Sequence, residues 1–161
     1  MIAVTDLQAG DVLLYAPKGI YGFLIRLHTW HPIGHVEVYD GDGQSWASRD
    51  GQGVDRYPLR LEQLATVLRP IPPIDLAAGR AWARRMIGTR YGWLDLLQFV
   101  GADLDTKGIV CSPFAARFYQ ACGCDLFNGE CPEKIAPFQF ALSPLLRKVW
   151  PTAVSAEEAA A

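Results

Sequence analysis

The chain has 161 residues, half of them apolar, with a net charge of −2 and a pI near 5.9. That supplies apolar chain for one sizeable core, and the lack of a basic stripe argues against nucleic acid as a partner. No window reaches the ~18 uninterrupted apolar residues of a membrane span, so no integral membrane segment is expected. The stretch from Met1 to Asp11 lacks the positive start and apolar run of a signal peptide. The expectation is a chain that is cytoplasmic as synthesised, with delivery to a cell wall requiring phage lysis or a specialised secretion machine.

Residues 1–151 read as a single catalytic domain and 152–161 as a flexible tail. After Gly10-Asp11, the run Val-Leu-Leu-Tyr predicts a short buried strand. Ile20, Phe23, Leu24, Leu27 and Trp30 fall at helical spacing, which predicts an amphipathic helix ending before Pro32. Gly34 to Asp40 alternates as a strand, and Gly41-Asp42-Gly43 turns it into a second strand at 44–48. Val54 to Tyr57 and Ala65 to Arg69 predict two more strands, the latter closed by Pro70.

The second half reads as mostly helical. Asp75 is a natural N-cap for a helix through Ile87, with Leu76, Ala83, Met86 and Ile87 on its apolar face and Gly88 as its stop. Trp93 to Val100 predicts a short apolar helix. A helix opens at Cys111, with Phe114, Ala115, Phe118, Tyr119 and Cys122 forming the stripe that faces a sheet. Pro132 suits the start of another short helix, and Leu145 to Trp150 predicts an edge strand. Strands first and helices afterwards argue for an α+β fold.

His35 opens the run His-Val-Glu-Val-Tyr, so His35 and Glu37 share one face of a strand. Cys111 opens a helix, where free N–H groups and the helix dipole favour a thiolate. A free thiol has a pKa of about 8.5, so it needs such help to act at neutral pH. An imidazole on a strand facing a thiol at a helix tip is the arrangement of a papain-like cysteine hydrolase, here with the base first in sequence. Pro113 is tolerated in the first helical turn, Ser112 can help to cap it, and the Cys111 N–H can form half of an oxyanion hole. Glu37 is the candidate for orienting His35, at a Cα separation of roughly 6.5 Å. On the neighbouring strand Ser45, Trp46 and Ser48 provide no strong acceptor, and the charge at Glu37 implies that its face is not dry core.

The other polar candidates carry less. Cys122-Gly123-Cys124 is tighter than the Cys-x2–4-Cys spacing of zinc sites and no fourth ligand lies near Cys131, so no metal and no cofactor is expected. Those three thiols read as buried or incidental. His28 reads as solvated, and His31 is placed near a cleft mouth. There is no Gly-rich phosphate loop and no Ser nucleophile elbow.

Taken in order, Gly10-Asp11-Val-Leu-Leu, Gly34-His35-Val36-Glu37-Val38, Gly53-Val54, Arg69-Pro70, Gly88-Thr-Arg-Tyr91-Gly92 and Val110-Cys111-Ser112 resemble the permuted NlpC-type papain-fold family. That family includes the YiiX-like bacterial proteins and is related to the lecithin:retinol acyltransferase group. The resemblance spans residues 8–146 and implies a circularly permuted papain-like fold, with a curved antiparallel sheet or small barrel and flanking helices. It implies Cys111 as nucleophile, His35 as base and Tyr91 as an aromatic lining the cleft. Two positions depart from the pattern: Pro113 stands where Glu is usual, and the place of a third polar residue falls near Trp46. The substrate class implied is a peptide or amide bond of a peptidoglycan fragment. A lipid or acyl substrate for a thiol acyltransferase or esterase is the alternative, with Tyr21, Trp30 and Trp93 as groove candidates. A non-catalytic binding module on the same fold is the third.

Overall fold

The structure is a computed structural model that describes residues 3–16, 31–92 and 108–150. The expected helix from Ile20 to Trp30 lies outside these residues, as do Tyr21, His28, the helix from Trp93 to Val100 and the tail.

Six strands form one antiparallel curved sheet: β1 (Val12–Tyr15), β2 (His35–Gly41), β3 (Gln44–Arg49), β4 (Gly53–Pro58), β5 (Leu64–Pro70) and β6 (Leu146–Trp150). Their order is β4-β3-β2-β1-β5-β6, which leaves β4 and β6 as edges, so the sheet is open and not a barrel. β1 lies between β2 and β5 and all four of its residues are buried, which is why its sequence is an unbroken apolar run. The β2–β3 turn needs left-handed backbone at Asp42 (φ 51°) and Gly43 (φ 68°), the conformation that Asp-Gly supplies in a tight hairpin.

Side chains alternate between two buried faces. Val12, Leu14, Val36, Val38, Trp46, Val54 and Leu68 belong to the core shared with the helices. Leu13, Tyr15, Tyr39 and Val67 lie on the other face, with Leu7 and Leu64. Helix α1 (Leu76–Met86) and helix α2 (Cys111–Ala121) complete the α+β layering. In α2, Phe114, Phe118 and Tyr119 are almost wholly buried, each removal from water stabilising by about 1.5–3 kcal/mol for such side chains. The Tyr119 hydroxyl donates to Gly10 O at 2.8 Å, which ties α2 to the entry of β1.

Asp75 caps α1 by accepting from Ala78 N at 3.0 Å. The inward face of α1 is Gly79 and Ala83, with Leu76 and Met86 partly buried. Ile87 departs from the expectation and is 49% exposed, because it follows the last helical turn with extended ψ (134°) and swings outward. A Cβ at Gly79 would run into Cys122 Sγ and lie 2.9 Å from Phe118 Cζ. Gly79→Ala therefore overpacks the α1–α2 contact and will destabilise the fold by about 1–3 kcal/mol, read as a lower urea midpoint at constant m-value.

Candidate active site

Cys111 is the first residue of α2. Three contacts hold the backbone that delivers it. Ile109 N donates to Arg90 O at 3.0 Å, and Ser48 Oγ donates to Ile109 O at 2.6 Å. The backbones of Gly92 and Gly108 also touch, with no space for a Cβ on Gly108. The N-cap position is Val110 in extended backbone with no side-chain cap, so Ser112 does not cap the helix as expected and is itself buried. A first turn without a side-chain cap leaves its N–H groups available to an anion.

His35 is the first residue of β2, paired with Tyr15 across the sheet, at a ring-centroid distance of 5.8 Å. Standing at the strand's end, it lies near enough to Cys111 for each group to shift the other's protonation. Its Nε2 lies 3.0 Å from Glu37 Oε1. His35 keeps 14% side-chain exposure and Cys111 keeps 4%, so the pair sits just below the surface.

Glu37 departs from its expected setting in one respect: it is fully buried. Four other residues make that tolerable. Its carboxylate receives His35 Nε2, Ser45 Oγ at 2.5 Å, Arg49 through Nε (2.9 Å) and Nη2 (3.0 Å), and Arg60 Nη2 at 2.8 Å. A buried carboxylate with this many charged donors stays ionised. Arg49 is itself anchored, donating to Pro58 O at 3.2 Å and lying 4.3 Å over the Tyr57 ring.

Electrostatics follow from these contacts. Burial alone would push the Cys111 thiol up, but the charge and hydrogen bond of His35 and the N–H groups of Val36 and Ser112 outweigh it and pull the thiol below its usual value. Burial alone would lower His35. Cys111, then Glu37, outweighs it and raises the imidazole to about 9. Burial would likewise raise Glu37, yet hydrogen bonds from His35, Arg49 and Ser45 hold it well below the carboxylate range. Burial and then the charge of Glu37 keep the Tyr15 hydroxyl protonated, well above its ordinary pKa.

His31 and the other three cysteines make their contacts elsewhere. Tyr91 is half-buried in the segment that leads from α1 toward Gly108. His31 stacks on Phe138 at 4.9 Å and its Nδ1 accepts from Ile33 N at 3.2 Å. Cys122 and Cys124 are buried and burial raises both thiols, Cys122 to about 11. Cys131 is exposed, its Sγ 3.1 Å from Glu133 Oε2, because it precedes a single 3-10 turn (Pro132–Lys134) at the surface. Among the described residues, no group of three or more His, Cys, Asp or Glu side chains is arranged to hold a metal ion.

The solved structure of YiiX from Escherichia coli O157:H7, described as a metalloprotein, superposes with a TM-score of 0.64 at 16% identity, over 88% of this chain and 96% of that one. The chain is YiiX-like in fold. In sequence it is 24% identical over 127 residues to the probable lipoprotein peptidase YaeF of Escherichia coli strain K12. That match covers 75% of this chain but 46% of YaeF, so the chain spans about half the length of that relative. No protein-family model matches the chain. Both likenesses support the YiiX-like resemblance drawn from the ordered motifs. Among the described residues of this YiiX-like chain, no helix is long and apolar enough to cross a membrane.

Sequence reasoning missed Arg49, Arg60 and the role of Ser45. Ser45 and Arg49 were findable: the Asp42-Gly43 hairpin pairs Tyr39 with Ser45, so period two places 45 and 49 on the face of Glu37. A buried carboxylate calls for donors, which Ser45 and Arg49 supply from that strand. Arg60 lies in the β4–β5 connection, where no periodicity predicts direction.

Proposed function

We propose that the protein is a cysteine-dependent hydrolase of peptide or amide bonds, working through an acyl-enzyme with Cys111 as nucleophile, His35 as base and Glu37 as the group that orients His35. The observation that carries this reading is the line from a thiol at an uncapped helix tip, through an imidazole, to a fully buried carboxylate. The peptidase name of YaeF points the same way. The resemblance of the ordered sequence motifs to permuted papain-like enzymes accounts for a base that precedes the nucleophile.

The thiolate attacks the scissile carbonyl carbon, and the helix-tip N–H groups receive the developing oxyanion. His35 carries the proton to the leaving amine as the C–N bond breaks, forming a thioester. It then takes a proton from water as that water attacks the thioester and restores the thiol. Glu37 holds Nε2 throughout, which keeps Nδ1 turned to the sulfur.

YiiX is described as a metalloprotein, but Glu37 of this chain is poorly suited to a metal ion. The two oxygens of Glu37 already receive two guanidinium groups, a hydroxyl and the imidazole, so a cation there would face like charge and find no free carboxylate lone pairs. No step is routed through a metal.

The substrate class proposed is the peptide of bacterial cell wall. Purified peptidoglycan incubated with the protein will release peptides detectable by mass, and Cys111→Ala will reduce release by at least about 10³-fold, as loss of a covalent nucleophile does. Equal release by Cys111→Ala overturns the mechanism. Fatty acid release from phospholipid in place of peptide release, lost in Cys111→Ala, reassigns the substrate to lipid.

A further inference from the structure

Glu37 has more positive charge around it than its ionisation requires. Arg49 alone neutralises it: it grips both carboxylate oxygens through Nε and Nη2, and is 11% exposed. Arg60 adds a second guanidinium, but its attachment differs in kind. Among the described residues, only its Nη2 is engaged, on the single oxygen Oε1, and its side chain is 47% exposed. The thiolate–imidazolium pair is neutral, and Glu37 and Arg49 cancel. Arg60 therefore leaves the cluster with one uncompensated positive charge on the Glu37 side of His35.

The location is as specific as the charge. Arg60 Nη2 and His35 Nε2 share Glu37 Oε1 at 2.8 and 3.0 Å, so they lie within about 6 Å of each other. The guanidinium carbon is 5.5 Å from the centroid of Tyr15, whose ring packs against His35. Tyr15 is almost wholly buried and lies on one side of the group, while the Arg60 side chain as a whole remains 47% exposed. A guanidinium serving only to clamp Glu37 gains from being enclosed, as Arg49 is. One left half in water with free donors is arranged to receive a planar anion.

We propose that Arg60 is a specificity-determining residue that binds a substrate carboxylate lying next to the bond under attack. The proposal rests on the cysteine-hydrolase reading for the word substrate, but the anion site itself is testable without turnover. Iodoacetate and iodoacetamide alkylate a thiolate by the same displacement: sulfur bonds to the methylene carbon and iodide leaves. They differ in whether a carboxylate or an uncharged amide is attached to that carbon.

The experiment measures the ratio of the two labelling rates at Cys111, normalised to the same ratio for glutathione, in the wild type, Arg60→Gln and Arg60→Lys. A general change in thiol reactivity cancels in this ratio. The wild-type ratio is expected to favour iodoacetate by about 10–100-fold, the span of a charge-assisted hydrogen-bonded contact. Arg60→Gln is expected to bring it near one and Arg60→Lys to an intermediate value. Labelling with the ratio unchanged in Arg60→Gln overturns the carboxylate site while leaving the hydrolase reading in place. Failure of both reagents to label Cys111 sinks the thiolate reading and this proposal together. Once a cleavable peptide is in hand, the same preference for a free carboxylate over its carboxamide must appear, and its loss in Arg60→Gln must fall on KM more than on kcat.

Discussion

At pH 6, iodoacetamide will label Cys111 faster than exposed Cys131, and His35→Ala will slow the Cys111 reaction by about two orders of magnitude. The direction follows from two opposing effects. Burial disfavours the thiolate, and Cys111 is 4% exposed. Were His35 absent, the thiol would sit at or above its usual pKa of about 8.5, with well under one part in a hundred ionised at pH 6. With His35 present, the imidazolium and the N–H groups of Val36 and Ser112 reverse that order. The same coupling raises His35 to about 9, so the imidazolium that must protonate a leaving amine persists until pH rises through that value. Activity is therefore expected to climb as pH rises through the depressed Cys111 value, stay level across neutrality, and decline near pH 9. Labelling of the folded protein that is unchanged in His35→Ala, or restricted to Cys131, sinks the catalytic assignment.

Glu37→Ala will cost about 3–5 kcal/mol of folding stability, a fall in Tm of roughly 6–20 °C for a domain of this size. The loss comes from what is left behind more than from the pair itself. Arg49, 11% exposed and held over Tyr57 by its own contacts, has no water to turn to when both its carboxylate oxygens vanish. Arg60, already half exposed, relaxes into solvent at little cost. Arg60→Gln is accordingly expected to leave Tm within a few degrees of wild type, and that contrast separates a buried charge from an exposed one.

The pH dependence has a definite sign. A carboxylate held well below its usual range contributes stability that is complete above about pH 4.5, its unfolded value, and is lost as pH falls toward the folded one. Glu37→Gln, which keeps shape without charge, should flatten the stability profile below pH 4.5. A profile identical to wild type in that window would mean that the cluster is not ionised as described.

Much of the fold was legible because its cues are local. Val-Leu-Leu-Tyr is short, apolar and bounded by Gly10-Asp11, as a central strand must be when both faces are covered. Asp42-Gly43 names its own turn, and Asp75 names a helix start. Misreadings came where an element stops being regular. Helical period puts Ile87 on a face that the helix no longer has at that residue, and Ser112 lies two residues past the N-cap position, which is Val110. Openness of the sheet was equally out of reach, since barrel and open sheet share the same alternation along each strand.

By itself, the amino-acid sequence determined the strand that carries His35 and Glu37 on one face, the helix that opens at Cys111, and the α+β order of elements. These depend on neighbours two to four residues apart, and backbone periodicity reports them directly. Only the tertiary structure decided that Glu37 is wholly buried, that Arg49 encloses it and that Arg60 stands half in water beside it. Those outcomes depend on contacts across 12 and 23 residues of chain, and on which group is desolvated when they form. Desolvation is a property of the assembled surroundings, so no stretch of sequence encodes it locally.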